Sequence, residues 1–200
     1  ISIFERVVQT AEGAALGTGT EMEYEVIHGI YNLLPNVALQ EAMHANLERV
    51  GGVLYDDQEW AFAEIIHQTL PDDAPSLESA AEIQPFHVTE EGSGGSTDVA
   101  DVSWVVPTAG MSSATWIPGT SAHSWQAIAA GGTTIGEKGL VVAAKTLAMT
   151  ALDLFTNPEL IDSAKAEHAR RVGPDFEYRS LVGDRDPPLD YRKPARSGGG

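Results

Sequence analysis

Residues 102–118 read VSWVVPTAGMSSATWIP, and the fold class turns on them. Two apolar runs, VSWVVP at 102–107 and SSATWIP at 112–118, each end in proline and are separated by a short piece containing glycine. Valine, isoleucine, threonine and tryptophan suit a pleated surface, and a short continuous apolar run bounded by turn residues fits a strand buried on both faces. Both runs therefore read as buried strands. Helical patterns flank them on either side, which gives an α/β class: a sheet flanked by helices over residues 36–180.

Downstream, Leu140, Ala144, Leu147, Ala148, Ala151 and Leu154 recur at helical spacing over 137–156, a face with enough small residues to pack closely on a sheet. Asn157 as cap and Pro158 at the first helical position open a further helix to Val172. Residues 181–200, with DRDPPLDYRKP, read as an extended tail, and ARSGGG at 195–200 as flexible chain. Upstream, Leu39, Met43, Leu47 and Val50 form one stripe over 37–50, capped by Asn36 and ended by Gly51 and Gly52. A second helix over 57–70 starts with acids that suit its positive end and stops at Pro71. Residues 71–95 lack periodicity and read as a surface loop with one short helix near 77–83.

The first 35 residues are set apart from this. Ile3, Phe4, Val7, Val8, Ala11, Ala14 and Ala15 predict an opening helix, and TEMEYEV at 20–26 alternates strictly, with Met22, Tyr24 and Val26 on one face. That alternation predicts a half-exposed strand of an antiparallel sheet. Pro35 and Asn36 break it, and a domain boundary is placed there. Because Ile1 already lies within a helical pattern, an upstream portion is expected to be missing.

Composition limits the chemistry. The 200 residues contain no cysteine, so disulfides, thiolate metal sites and cysteine nucleophiles are excluded, in keeping with a reducing cytoplasm. Twelve basic against 29 acidic residues leave a net charge of −17, which repels nucleic acid and anionic membrane surfaces. No apolar segment is expected to reach the roughly 20 residues that span a bilayer, so no membrane partner is expected.

Two polar clusters sit at the ends of the expected strands, where open α/β sheets carry their sites. GGSTDVAD at 94–101 offers Ser96, Thr97, Asp98 and Asp101, and PGTSAHS at 118–124 offers Gly119, Thr120, Ser121, His123 and Ser124. Glycines beside hydroxyls allow a ligand close to the backbone. His123 then has three readings: a structural residue at the start of the following helix, a metal ligand, or the base of a hydrolase with Ser96 as nucleophile and Asp98 behind it. The last lacks a G-x-S-x-G elbow. His28, His44, His67, His87 and His168 form no paired ligand motif, and a complete metal site needs about three protein ligands.

The order STDVADVSWVVPTAG (96–110), PGTSAHSWQ (118–126) and KGLVVAAKTLAMTALDLF (138–155), together with RVVQTAEGAALGTGTEMEYEV (6–26) and LPN (34–36), resembles the amidohydrolases of the metallopeptidase family that holds aminoacylases and glutamate carboxypeptidases. The resemblance implies the second half of an α/β catalytic domain at 36–180. It implies the last helix and strand of a lid or dimerisation domain at 1–35. It makes His123 the last metal-binding histidine, Ser96 and Thr97 substrate contacts, and Asp98 an acid that shapes the site, with Gly119 and Thr120 lining it. The cofactor implied is one or two divalent ions, zinc or manganese, and the substrate an N-acyl or aminobenzoyl amino acid, with glutamate plausible. The general-base glutamate and the remaining ligands would lie before Ile1 or on a second polypeptide, in a homo- or hetero-oligomer, and the isolated chain would be inactive. Glu137 stands in IGEKG where close relatives carry histidine, which leaves any role of that position open. A non-catalytic association or regulatory module with a vestigial site is the alternative.

Overall fold

The structure, a computed structural model, describes residues 2–88, 95–187, 189 and 192. The glycine-rich stretch at 89–94, where part of the expected surface loop falls, and the flexible chain expected at 195–200 lie outside the described residues. The helices are α1 (Ser2–Thr18), α2 (Val37–Val50), α3 (Asp57–His67), α4 (Val99–Val105), α5 (Trp125–Gly131), α6 (Thr134–Thr156) and α7 (Pro158–Val172), with a 3-10 turn at Leu77–Ala81. Among the described residues there is no strand. The expected sheet flanked by helices is therefore corrected to an all-helical architecture.

The run at 102–107 fails as a strand because it continues a helix that opens ahead of it, at Val99. The carbonyls of Thr97 and Asp98 accept from the amides of Ala100 and Asp101 at 3.2 and 3.1 Å, and α4 ends ahead of Pro107, with Val106 extended at φ −139° and ψ 150°. Ala100 and Ser103 are buried, whereas Val99, Val102 and Val105 face outward. Their three-residue spacing is the helical signal that a short apolar run hides. On the inner side, Ser103 Oγ accepts the Leu34 amide at 2.8 Å, and Asp101 accepts the Tyr31 amide at 3.2 Å and the Tyr178 hydroxyl at 2.8 Å.

The run at 112–118 has no strand beside it. It crosses the start of α6, where Ser113 Oγ donates to the Gly139 carbonyl at 2.9 Å. Gly139 is needed for that approach, since a Cβ there would stand 2.6 Å from the Ala114 carbonyl oxygen. Likewise TEMEYEV forms no strand: alternation supplies two faces, but a strand requires a neighbour to exchange hydrogen bonds with. Instead, Tyr24 packs edge-on against Phe4 of α1 at 6.0 Å, and Arg185 bonds Glu25 at 3.2 Å and the Ile27 carbonyl.

These last contacts belong to one of two compact units, Ile1–Ile30 with Arg179–Gly200; the other is Tyr31–Tyr178. In the second unit, Ala63, Ile66, Leu77, Ile117, Ala130 and Ile135 form the apolar core, with Trp60, Phe62 and Trp116 packed against it. α2, α6 and α7 meet through polar groups. Asn36 accepts the Leu39 amide at 3.1 Å as the cap of α2 and donates to the Ala164 carbonyl of α7 at 2.8 Å. Asn46 of α2 donates to Thr150 and Asp153 of α6 at 3.3 and 2.6 Å. Asn157, expected as a cap, makes no side-chain capping bond, although Pro158 does open α7. α6 also corrects the expectation that no segment could span a bilayer: at 23 residues, with a mean hydropathy of 1.4 in its most apolar window, it is long and apolar enough by length and composition.

Candidate functional site

The loop that carries His123 is built by a tight turn. Pro118 and Gly119 occupy its centre, the Thr120 amide donates to the Ile117 carbonyl at 3.0 Å, and Gly119 has the φ of +86° that the third position of a type II turn requires. Ile117 is buried in the apolar core, so the turn hangs from a fixed point. Ala74 lies against it, 2.7 Å from where a Cβ on Gly119 would be. His67 holds this neighbouring segment by bonding the Pro75 carbonyl through Nε2 at 2.8 Å, a structural task for that helical histidine.

Past the turn, the Thr120 hydroxyl oxygen is buried and has no hydrogen-bond partner. A buried hydroxyl left without a partner costs roughly 1–3 kcal/mol. His123 is the one non-glycine residue with positive φ among the described residues, at φ 60°. That left-handed backbone costs on the order of 1–2 kcal/mol for a residue with a Cβ. Its imidazole is exposed and makes no hydrogen bond or ion pair among the described residues. The helix that follows is capped by Ser124, whose Oγ accepts the Ala127 amide at 3.2 Å and donates to the Ser121 carbonyl at 2.7 Å.

Ser96, Thr97 and Asp98 are exposed ahead of α4. Thr97 Oγ1 accepts the Val99 amide at 3.3 Å, and Asp98 makes no side-chain capping bond. No hydrogen bond or ion pair links this group to residues 119–123, and His123 bonds neither Ser96 nor Asp98. Among the described residues no three His, Asp or Glu side chains converge to hold a metal ion. His123 could supply one of the roughly three protein ligands that a zinc or manganese site requires, and the described residues bring no others to it.

Next to the apolar core lies a polar cluster that motif order and loop chemistry do not single out. Glu59 is 5% exposed, and Lys138 of α6 bonds its Oε2 while also donating to the Leu54 carbonyl at 3.0 Å. Burial opposes ionisation of Glu59, but the hydrogen bonds from Lys138 and the Asp56 amide, with the Lys138 charge, outweigh it and hold the carboxyl below its ordinary value. Tyr55, desolvated and beside that charge, is pushed up to about 12. Two signals point here: Glu59 is spaced with buried Ala63 and Ile66 on α3, and Asp56 with Glu59 forms a capping box.

Against known proteins, the chain is 35% identical over 189 residues to a subunit of the p-aminobenzoyl-glutamate hydrolase of Escherichia coli (strain K12), covering 83% of this chain and 39% of that protein. It is 31% identical over 157 residues to the Xaa-Arg dipeptidase of Mus musculus, covering 77% of this chain and 29% of that one. The chain thus spans about two fifths or less of the length of the curated relatives it matches. No family model matches it, and neither does any solved structure. Both relatives are members of one amidohydrolase family, and the chain belongs to it, the family of aminoacylases and glutamate carboxypeptidases.

Proposed function

We propose that this chain is part of an enzyme that hydrolyses the amide bond of an N-acyl or aminobenzoyl amino acid, and that it supplies the 118–124 loop to that site. The names of the two relatives, an aminobenzoyl-glutamate hydrolase and a dipeptidase, share the cleavage of an amide-type C–N bond. The observation that carries the reading is the pairing on one loop of a buried, unpartnered Thr120 hydroxyl with a left-handed His123. Backbone strain and unpaired polar atoms are features that functional sites keep and plain loops lose. In this reading the Thr120 hydroxyl and the exposed backbone at Gly119 contact the substrate, with Ser96 and Thr97 as further contacts and Asp98 as a neighbouring acid. His123 is one ligand of a divalent ion, zinc or manganese, whose other ligands and whose general base come from polypeptide beyond these residues.

The test uses the complete enzyme. His123→Ala is expected to lose bound metal and amide hydrolysis together, and Thr120→Val to keep the metal while kcat/KM falls about tenfold, the loss of one hydrogen bond worth about 1.4 kcal/mol. Unchanged metal content and hydrolysis in His123→Ala would sink the ligand assignment.

A further inference from the structure

Asp101 belongs by sequence to the polar group at 94–101, but its side chain is used differently from the others. Ser96, Thr97 and Asp98 are exposed ahead of α4, whereas Asp101 is half-buried and both its oxygens are engaged. Oδ2 accepts the Tyr31 amide at 3.2 Å, and Oδ1 accepts the Tyr178 hydroxyl at 2.8 Å. Tyr31 and Tyr178 are the first and last residues of their compact unit. One carboxylate thus fastens both ends of that unit to α4. The rings add to the hold: Tyr31 lies 5.6 Å from Tyr178, and Trp104 of α4 packs on Phe176 at 4.6 Å.

α4 depends on such a hold. Its seven residues are too few for a helix to stand by itself in water. Asp98, at the cap position, makes no side-chain capping bond, so the start of the helix is not secured by its own sequence. Its inner side is what orients it. There Asp101 and Ser103 accept the Tyr31 and Leu34 amides, and Trp104 donates to the Asn32 carbonyl at 2.7 Å. All three bonds reach one segment, residues 31–34. The Tyr178 hydroxyl holds the helix from the other end of the unit, and it does so at Asp101, about one helical turn from Thr97 and Asp98. A hydroxyl donating to a carboxylate makes a bond about twice as strong as a neutral one. That bond also raises the Tyr178 phenol above its ordinary value, so the donor keeps its proton across the neutral range.

We infer that Asp101 and Tyr178 form a positioning pair, which holds Ser96 and Thr97 where they meet the substrate and so sets how tightly substrate is bound. The inference rests on the proposed reading of Ser96 and Thr97 as substrate contacts. Neither member of the pair touches substrate; both act through α4.

The test uses the complete enzyme, with p-aminobenzoyl-glutamate as the substrate. Tyr178→Phe removes one hydroxyl and keeps the ring. It is expected to raise KM about fivefold to tenfold with kcat within about twofold, the pattern left by losing binding that ground state and transition state share. Asp101→Ala should raise KM at least as much. The double variant should be no worse than Asp101→Ala, since the two groups work through one bond. Asn46→Ala, which cuts bonds between α2 and α6, is the control: its unfolding midpoint should fall while KM stays where it was. Hydrogen exchange at the amides of residues 99–103 needs no turnover and should quicken about tenfold in Tyr178→Phe. Unchanged KM in Tyr178→Phe would overturn the inference, whatever the exchange shows. So would additive effects in the double variant, or an equal rise of KM in Asn46→Ala, which would mean that KM merely follows stability. A parent enzyme without amide hydrolysis would strike the proposed function itself, whereas an active parent whose KM ignores Tyr178→Phe strikes the inference alone.

Discussion

At the scale of single residues, His123 concentrates the question of site against scaffold. Its backbone sits at φ 60°, where glycine has no penalty and a residue with a Cβ does. If the loop were under selection for stability alone, glycine would serve better there. His123→Gly is therefore expected to raise the stability of the chain by about 0.5–1 kcal/mol, the left-handed penalty less the entropy glycine costs in the unfolded chain. Urea unfolding of the two chains checks this, and a destabilised variant would mean that the imidazole makes contacts that hold the loop. Gly119 is the converse case: its φ of +86° and the Ala74 methyl 2.7 Å from any Cβ leave room for nothing else. From residue types alone, PGTSAHS was legible as a polar, glycine-containing cluster, and His123 stayed open between a structural residue, a metal ligand and a base. The strain at His123 and the buried Thr120 hydroxyl were not legible, since both depend on how the turn is suspended from Ile117.

At the scale of elements, the helices were legible where local chemistry decides and the strands were misread where a partner decides. Asn36 caps α2 as expected, because a cap is settled within three residues. A strand is settled by whatever lies beside it, and neither the alternation of TEMEYEV nor the valines at 102, 105 and 106 carries that information. The start of α2 shows a long-range device that no local rule would find. Glu167, from α7, accepts the amides of Val37 and Ala38 at 3.0 and 2.9 Å and is bridged to Arg171 at 2.8 Å. Burial raises its carboxyl, but those two amides and Arg171 outweigh burial and hold it below its ordinary value. A carboxyl depressed in the folded state stabilises fully above its unfolded value of about 4.3, and the contribution is lost as pH falls through the lower folded value. Glu167→Gln should therefore unfold more easily at pH 7, by about 1–3 kcal/mol for two weakened charge-assisted bonds. Between pH 5 and the acid limit its stability should decline less steeply than that of the parent. Denaturant melts at a series of pH values read both effects, and parallel pH profiles would show that the carboxylate charge does not matter.

At the scale of the whole molecule, the family was legible because separated motifs kept their order, while the architecture was not, because the chain spans 39% of the relative's length. The sheet was expected from the apolar runs at 102–107 and 112–118, and among the described residues neither forms a strand. The donor set of the described residues sets an expectation for chemistry. A hydrolytic metal site requires about three protein ligands and a base within hydrogen-bond reach of the attacking water. The described residues bring no three candidate ligands together, and Ser96, Thr97 and Asp98 are not bonded to the His123 loop. The 200-residue chain alone is therefore expected to bind zinc or manganese at well under one ion per chain and to release no p-aminobenzoate from p-aminobenzoyl-glutamate. On the proposed reading, polypeptide that supplies the other ligands and the base, in one chain or as a second one, should give both. Equilibrium dialysis with metal analysis and a product assay on the same samples decide the matter. Stoichiometric metal and turnover in the isolated chain would mean that its site is complete and that the ligands lie among groups not brought together here. Metal without turnover would place only the base elsewhere.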